Sequence, residues 1–232
     1  MYYGFGYGMD WSYLLLMAVT MVLGLGTQAY IKATYAKWSK VPSPGGRTGA
    51  EVAKRMLSHE GADTVGIGRV AGYLTDNYNP ATNVLSLSEE NFSHSSVASV
   101  AVACHEAGHA VQTARGYAPG KIRTAIVPVV NITMQLWSIL FFIGLAVNVM
   151  GLVQLGIAFF SFSVLFQLVT LPVEFDASRR AVAYLGENCS ELDQRGAKAV
   201  LTAAALTYVA AALSSILQLL YLLGRVNRDS DN

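Results

Sequence analysis

Of 232 residues, 53% are hydrophobic and only 13% charged, with a mean hydropathy of +0.40, against about a quarter charged in soluble globular domains. That balance excludes a soluble domain and a disordered chain, and a net charge of +1 supplies no basic face for nucleic acid. Two cysteines, Cys104 and Cys189, are too few and too scattered for a disulfide framework or a cysteine zinc ribbon.

A bilayer crossing takes about 20 apolar residues. Four windows meet that test, at residues 11–30, 126–149, 152–171 and 203–223, and none holds a Lys, Arg, Asp or Glu. The leader, residues 1–9, is rich in Tyr, Phe and Gly and is expected at the membrane interface, where such aromatics are favoured. The first window has no basic residue before it and Lys32, Lys37 and Lys40 after it, which predicts a retained anchor rather than a cleaved signal. Only Met150 and Gly151 separate the second and third windows, so these form a tight helical hairpin. The polar segments 31–125 and 172–202 carry fourteen of the sixteen basic residues. The positive-inside rule puts both in the cytoplasm and both termini outside.

Within the first polar segment, Thr48 and Glu51 form a capping box that opens a short helix to about His59, with Gly61 past its end. Residues 65–77 and 82–88 are predicted as strands, with a turn over 78–81. Strand 82–88 alternates Leu85 and Leu87 with Ser86 and Ser88, as one buried face requires. It is the candidate edge for laying down an extended peptide, or equally a strand internal to a small sheet. The serines at 93, 95 and 96 supply an N-cap for a helix Val97–Ala114, and Gly116 stops it.

That helix carries His105, Glu106 and His109. Histidines four apart stack on one helical face, so both imidazoles can reach one ion. Catalytic zinc takes three protein ligands and keeps a fourth position for water. The glutamate beside the first histidine can take the proton of a water whose pKa the metal lowers. A chance match to this pattern in a chain of this size is on the order of one in a hundred or less. Only four histidines are present, and the rest of the helix is small and apolar, so unpartnered polar groups would be costly there. Cys104 points about 100° away from His105 and reads as a small core residue.

The third ligand comes from elsewhere: His59, His94 or a carboxylate of either polar segment. Glu174 stands out, two residues after Pro172 at the end of the third window and opening a helix to Arg180. A solvated helix N-terminus accounts for such a carboxylate equally well on the residues alone. An even number of spans separates His109 from Glu174, which puts both on one side of the bilayer.

The motif His-Glu-Ala-Gly-His at 105–109, followed by Leu-Pro-Val-Glu-Phe-Asp-Ala-Ser-Arg at 171–179, resembles the bacterial YugP-like membrane zinc metallopeptidases, the neutral zinc metallopeptidases. The likeness extends through 48–53, 74–80, 127–131 and 203–211, nearly the whole chain. The resemblance implies a multi-pass membrane protease with one Zn2+ on His105, His109 and Glu174, and with Glu106 as catalytic base. A more distant similarity runs to the HtpX-like membrane proteases, whose third-ligand motif is Glu-x-x-Ala-Asp with an aspartate that orients a zinc histidine. Here Ser178 stands at that offset and Asp176 two residues after the glutamate. Either of them, or neither, fills the role. Arg179, Arg180 and Tyr184 are candidates to stabilise an oxyanion, with headgroup anchoring the alternative for the arginines.

The expected fold is mainly α: four transmembrane helices plus a small α+β cytoplasmic zinc-protease domain with a short sheet. It divides into a leader and first helix (1–30), a protease region (31–125), a helical hairpin (126–171), a third-ligand segment (172–202) and a last helix with its tail (203–232). The expected function is an integral-membrane zinc endopeptidase at the cytoplasmic face, acting on a protein or peptide and embedded in the lipid bilayer. The competing function is a non-catalytic zinc-binding scaffold or adaptor.

Overall fold

The computed structural model describes residues 11–230; the leader 1–9 lies outside them. The fold is mainly helical with one small sheet. In chain order it has α1 (Trp11–Trp38), α2 (Gly49–His59), β1 (Gly66–Val70), β2 (Asn77–Asn79) and β3 (Val84–Ser88). Then come α3 (Glu89–Ser93), α4 (Val97–Ala114), α5 (Ala118–Ala146), α6 (Met150–Asn188) and α7 (Glu191–Ser230). Four of the helices, α1, α5, α6 and α7, are long and apolar enough to cross a bilayer.

Two compact units divide the chain. The first holds described residues 11–26, 122–170 and 208–230. Its core is apolar and aromatic: Val153, Ile157, Phe160, Val164 and Leu222, with Trp137 and Phe141 packed against them. The rings of Trp137 and Phe160 lie 4.8 Å apart. The hairpin α5–α6 is close-packed because small residues let the backbones meet. A Cβ on Gly144 would sit 2.7 Å from the Val153 nitrogen, and one on Gly156 2.8 Å from the Trp137 carbonyl oxygen. The turn falls at 147–149, where Asn148 takes φ 57°, and Met150 and Gly151 already belong to α6. Ile132, Ile139, Phe142 and Leu165 face outward, as a lipid-facing surface demands.

The second unit holds residues 27–121 and 171–207. The capping box forms as expected: the Thr48 N–H donates to Glu51 Oε2 at 2.8 Å and the Glu51 N–H to Thr48 Oγ1 at 3.3 Å. α2 then buries Val52, Ala53, Met56 and Leu57 against the core face of α4, Val100, Ala101, Ala103, Cys104 and Ala107. At the start of α4, Ser96 Oγ accepts the Ser99 N–H.

The sheet departs from its predicted pattern. β1 ends at Val70, well short of 77, and the expected turn is partly strand, since Asn77–Asn79 pairs antiparallel with β3. β1 pairs with β3 in parallel, so the strand order is β1-β3-β2. β3 is therefore central, and the expectation that 82–88 offers a free edge to a peptide falls. It is paired in parallel along Val84–Ser88 on one side and antiparallel along Val84–Ser86 on the other. Its alternation holds, with Leu85 and Leu87 fully buried. Asp76 ties the preceding loop down by accepting from the Ser88 N–H and hydroxyl and from Asn91 Nδ2. Tyr35 of α1 in turn donates to Asn91 Oδ1 at 2.7 Å.

A second correction concerns residues 172–180. They do not open a new helix but continue α6 through Pro172. Tyr117 of the second unit donates its hydroxyl to the Pro172 carbonyl at 3.3 Å.

Candidate metal centre

The site forms where α4 meets α6. Gly108 is the reason they come so close: a Cβ there would lie 2.8 Å from the Ala177 carbonyl oxygen and 3.1 Å from its Cα. Alanine at 108 would push the helices apart. Overpacking of this kind costs about 1–3 kcal/mol. Gly108→Ala is therefore expected to lower the melting temperature of purified protein and its metal content together. Unchanged values for both would show that the contact does not position the site.

On either side of that contact, His105 and His109 of α4 face Glu174 and Ser178 of α6. Glu174 Oε2 lies 3.2 Å from His105 Nε2 and 3.5 Å from His109 Nε2. One donor atom from each of the three residues falls within a mutual 4.8 Å. The histidine side chains are each 12% exposed and that of Glu174 3%. His59 and His94 stay outside the cluster. His59 is exposed and lies 3.5 Å from Glu60, and His94 is exposed at the end of α3.

The donor set suits zinc. Ligand atoms about 2.0–2.2 Å from a tetrahedral ion stand roughly 3.3–3.5 Å from one another, and the two nitrogen–oxygen separations match that spacing. Two imidazoles and one carboxylate also leave a fourth position for a non-protein ligand.

Each histidine is held from behind. His105 Nδ1 meets Ser178 Oγ at 3.2 Å. His109 Nδ1 meets the Gln112 side-chain oxygen at 3.1 Å, so that Nδ1–H donates and Nε2 keeps its lone pair for the cluster. Gln112 is itself fixed: its Nε2 donates to the Val173 carbonyl at 2.7 Å and to Asp176 Oδ2 at 3.0 Å. Asp176 is held by Arg180 Nε at 2.7 Å and by Arg179. Ser178 thus touches one histidine directly, and Asp176 reaches the other only through Gln112. The sequence reading had no place for Gln112. Its one signal was a buried amide three residues past His109 in an otherwise small, apolar helix.

Burial disfavours a charged His109, but the facing Glu174 carboxylate, Glu106 and Gln112 more than offset it, and its pKa is raised above the ordinary value. Glu106 is half-buried on α4. Among the described residues it has no hydrogen-bond or ion-pair partner in the protein. Cys104 is fully buried, and burial pushes its thiol pKa well up, as a core residue and not a ligand requires. Of the oxyanion candidates, both arginines are engaged by Asp176, and Tyr184 is buried with its ring 5.6 Å from that of His59.

Outer partners of metal-binding histidines typically contribute 10–100-fold to affinity. Gln112→Leu is expected to weaken zinc binding by about that factor in a chelator competition. Wild-type affinity in this variant would show that Gln112 does not orient His109.

Residues 13–227 match the family described as "putative neutral zinc metallopeptidase". Over 210 residues the chain is 41% identical to the "putative membrane protease YugP" of Bacillus subtilis strain 168, covering 90% of this chain and 93% of that protein. No solved structure matches. A match spanning almost the whole chain, with a His/His/Glu cluster able to hold a metal, places this protein in the neutral zinc metallopeptidase family.

Proposed function

We propose that this chain is an integral-membrane zinc endopeptidase that hydrolyses peptide bonds at the cytoplasmic face of the membrane. The observation that carries the reading is the convergence of His105 Nε2, His109 Nε2 and Glu174 Oε2 from two helices, with an uncommitted Glu106 beside them. A purely structural zinc site has no use for such a glutamate and tends to fill its fourth position with protein.

His105, His109 and Glu174 would hold the ion. Zinc bound there would supply positive charge that acidifies a water and polarises a carbonyl. Glu106 would accept a proton from the water whose oxygen bonds to the carbonyl carbon, and would return it to the amide nitrogen as the C–N bond breaks. Ser178 and Gln112 keep the Nδ1 protons of the two histidines occupied, so neither ring turns its Nε2 away. Arg179 and Arg180 neutralise Asp176, which lets a buried carboxylate sit behind Gln112 without a proton of its own.

The protease region is residues 31–125 together with the third-ligand segment 172–202, and the remaining segments are membrane helices with their flanks. Glu174 lies three residues beyond the apolar window that ends at Leu171, about 5 Å along the helix at 1.5 Å per residue. That spacing supports chemistry at the membrane surface, on cytoplasmic or juxtamembrane segments rather than at bonds deep in the bilayer.

The test is direct. Purified full-length protein should hold one zinc per chain and cleave an unstructured reporter peptide, losing both with a chelator and regaining both with zinc. Zinc retained without any cleavage across a broad peptide library would favour the scaffold. Protein that purifies and reloads without metal would overturn the site. For the sidedness, a cysteine introduced at Asp63 in a background lacking Cys104 and Cys189 should be shielded from an impermeant thiol reagent in intact cells, and one at Asp229 should react. The reverse labelling would invert the orientation.

A further inference from the structure

The second unit contains a groove of about 740 Å3 between α6 and α7. Ser178 and Arg179 on its wall also support the metal centre, and the proposed hydrolysis uses none of its other lining residues. Its walls carry three cations, Arg179, Arg195 and Lys198, against a single carboxylate, Glu191. Arg195 and Lys198 are exposed and, among the described residues, have no ion-pair partner. Arg179 holds Asp176 but keeps three quarters of its side chain exposed. The rest of the lining is largely apolar, with the exposed ring of Phe175 on one side and Leu201 on the other.

The apolar windows locate this groove along the two helices. Phe175 is four residues past Leu171, and Lys198 is five residues before Ala203, so both stand about 6–8 Å outside an apolar span at 1.5 Å per residue. The headgroup layer on each side of the hydrocarbon is about 5–7 Å thick. Thr202 and Ala205 also line the groove, carrying it to the edge of the apolar window. One cavity therefore presents Lys198 at headgroup level, beside a hydrophobic wall that runs to the edge of the apolar window at Thr202 and Ala205. Arg179 and Arg195 stand about 12 Å outside their spans by the same rise and are able to reach back along their long side chains.

We propose that this groove is a binding seat for an anionic phospholipid, its phosphate taken by Arg195 and Lys198 with Arg179 beside them and its proximal acyl chain laid against Phe175 and Leu201. The chemistry selects the occupant. A free phosphate satisfies the cations but leaves the wall bare, and an acidic peptide has no reason to follow the groove into the apolar span. Basic residues next to a membrane helix attract anionic lipid on the cytoplasmic leaflet, the face to which the charge count assigns this segment. The seat requires only that α6 and α7 cross the bilayer, so it stands or falls independently of peptide hydrolysis.

The experiment uses full-length protein in mixed micelles containing equal phosphatidylglycerol and phosphatidylcholine, with retained lipid counted by native mass spectrometry. Wild type is expected to keep one phosphatidylglycerol in preference to phosphatidylcholine by about thirtyfold, the scale two interfacial cations supply at about 1 kcal/mol each. Arg195→Gln/Lys198→Gln should bring that preference close to parity. Lys54→Gln/Arg55→Gln, which removes the same charge from the exposed side of α2, should leave it intact. Equal retention of the two lipids by wild type would overturn the seat, as would an equal loss in both double variants. So would displacement of phosphatidylglycerol by soluble glycerol phosphate or by an acidic peptide at matched concentration.

Discussion

Replacing Glu106 with Gln is expected to leave one zinc per chain and to lower peptide hydrolysis by about 10²–10⁴-fold, the usual contribution of a positioned general base. The amide is nearly isosteric and uncharged, so it fits the half-buried position on α4 without disturbing the helix. It cannot accept a proton at neutral pH, and that is the only function assigned to Glu106. The glutamate is not one of the three converging donors, so metal content should not follow activity down. A variant that hydrolyses peptide at the wild-type rate would remove Glu106 from the chemistry. A variant that loses zinc would make it a ligand and not a base.

Replacing Glu174 with Ala should have the largest effect on the metal. The carboxylate oxygen sits 3.2 and 3.5 Å from the two histidine nitrogens, and its removal leaves two neutral ligands. Zinc affinity should fall by more than about 100-fold, beyond the 10–100-fold that an outer partner contributes. Glu174→Gln is the sharper test because it keeps shape and buried volume while removing the charge. It should bind zinc more weakly than wild type, while the overall fold reports no change by circular dichroism. Wild-type zinc affinity in both variants, measured against a chromophoric chelator, would transfer the third-ligand role to another group.

Much of this molecule is written locally and could be read that way. Apolar windows announce the long helices because a bilayer crossing is a requirement on length and composition along one continuous segment. The pairing of His105 with His109 follows from helical periodicity alone, and the Thr48–Glu51 capping box from a fixed three-residue offset. These signals involve neighbours in the chain, so no knowledge of the fold was needed to see them.

The features that were misread or missed depend on partners far along the chain. Strand limits in 65–88 are set by pairing, and β1 reaches β3 in parallel across the segment that forms β2. No local pattern reveals that β3 lies in the middle. Pro172 suggests a helix start, yet α6 runs through it, with the proline removing one backbone donor from a helix that continues on both sides.

For the candidate centre, the sequence by itself determined the helical pair of histidines, the glutamate beside them and the side of the membrane that Glu174 shares with them. Weighed on its residues alone, Glu174 was no better than even against a solvated helix end; the family likeness brought it forward. Only the tertiary structure decided that its carboxylate meets both imidazoles, that Ser178 holds His105, and that Gln112 links His109 to Asp176. Those contacts bridge 61 to 73 positions of chain. They exist because Gly108 has no side chain where Ala177 comes closest, a constraint between two helices that one segment read alone does not contain.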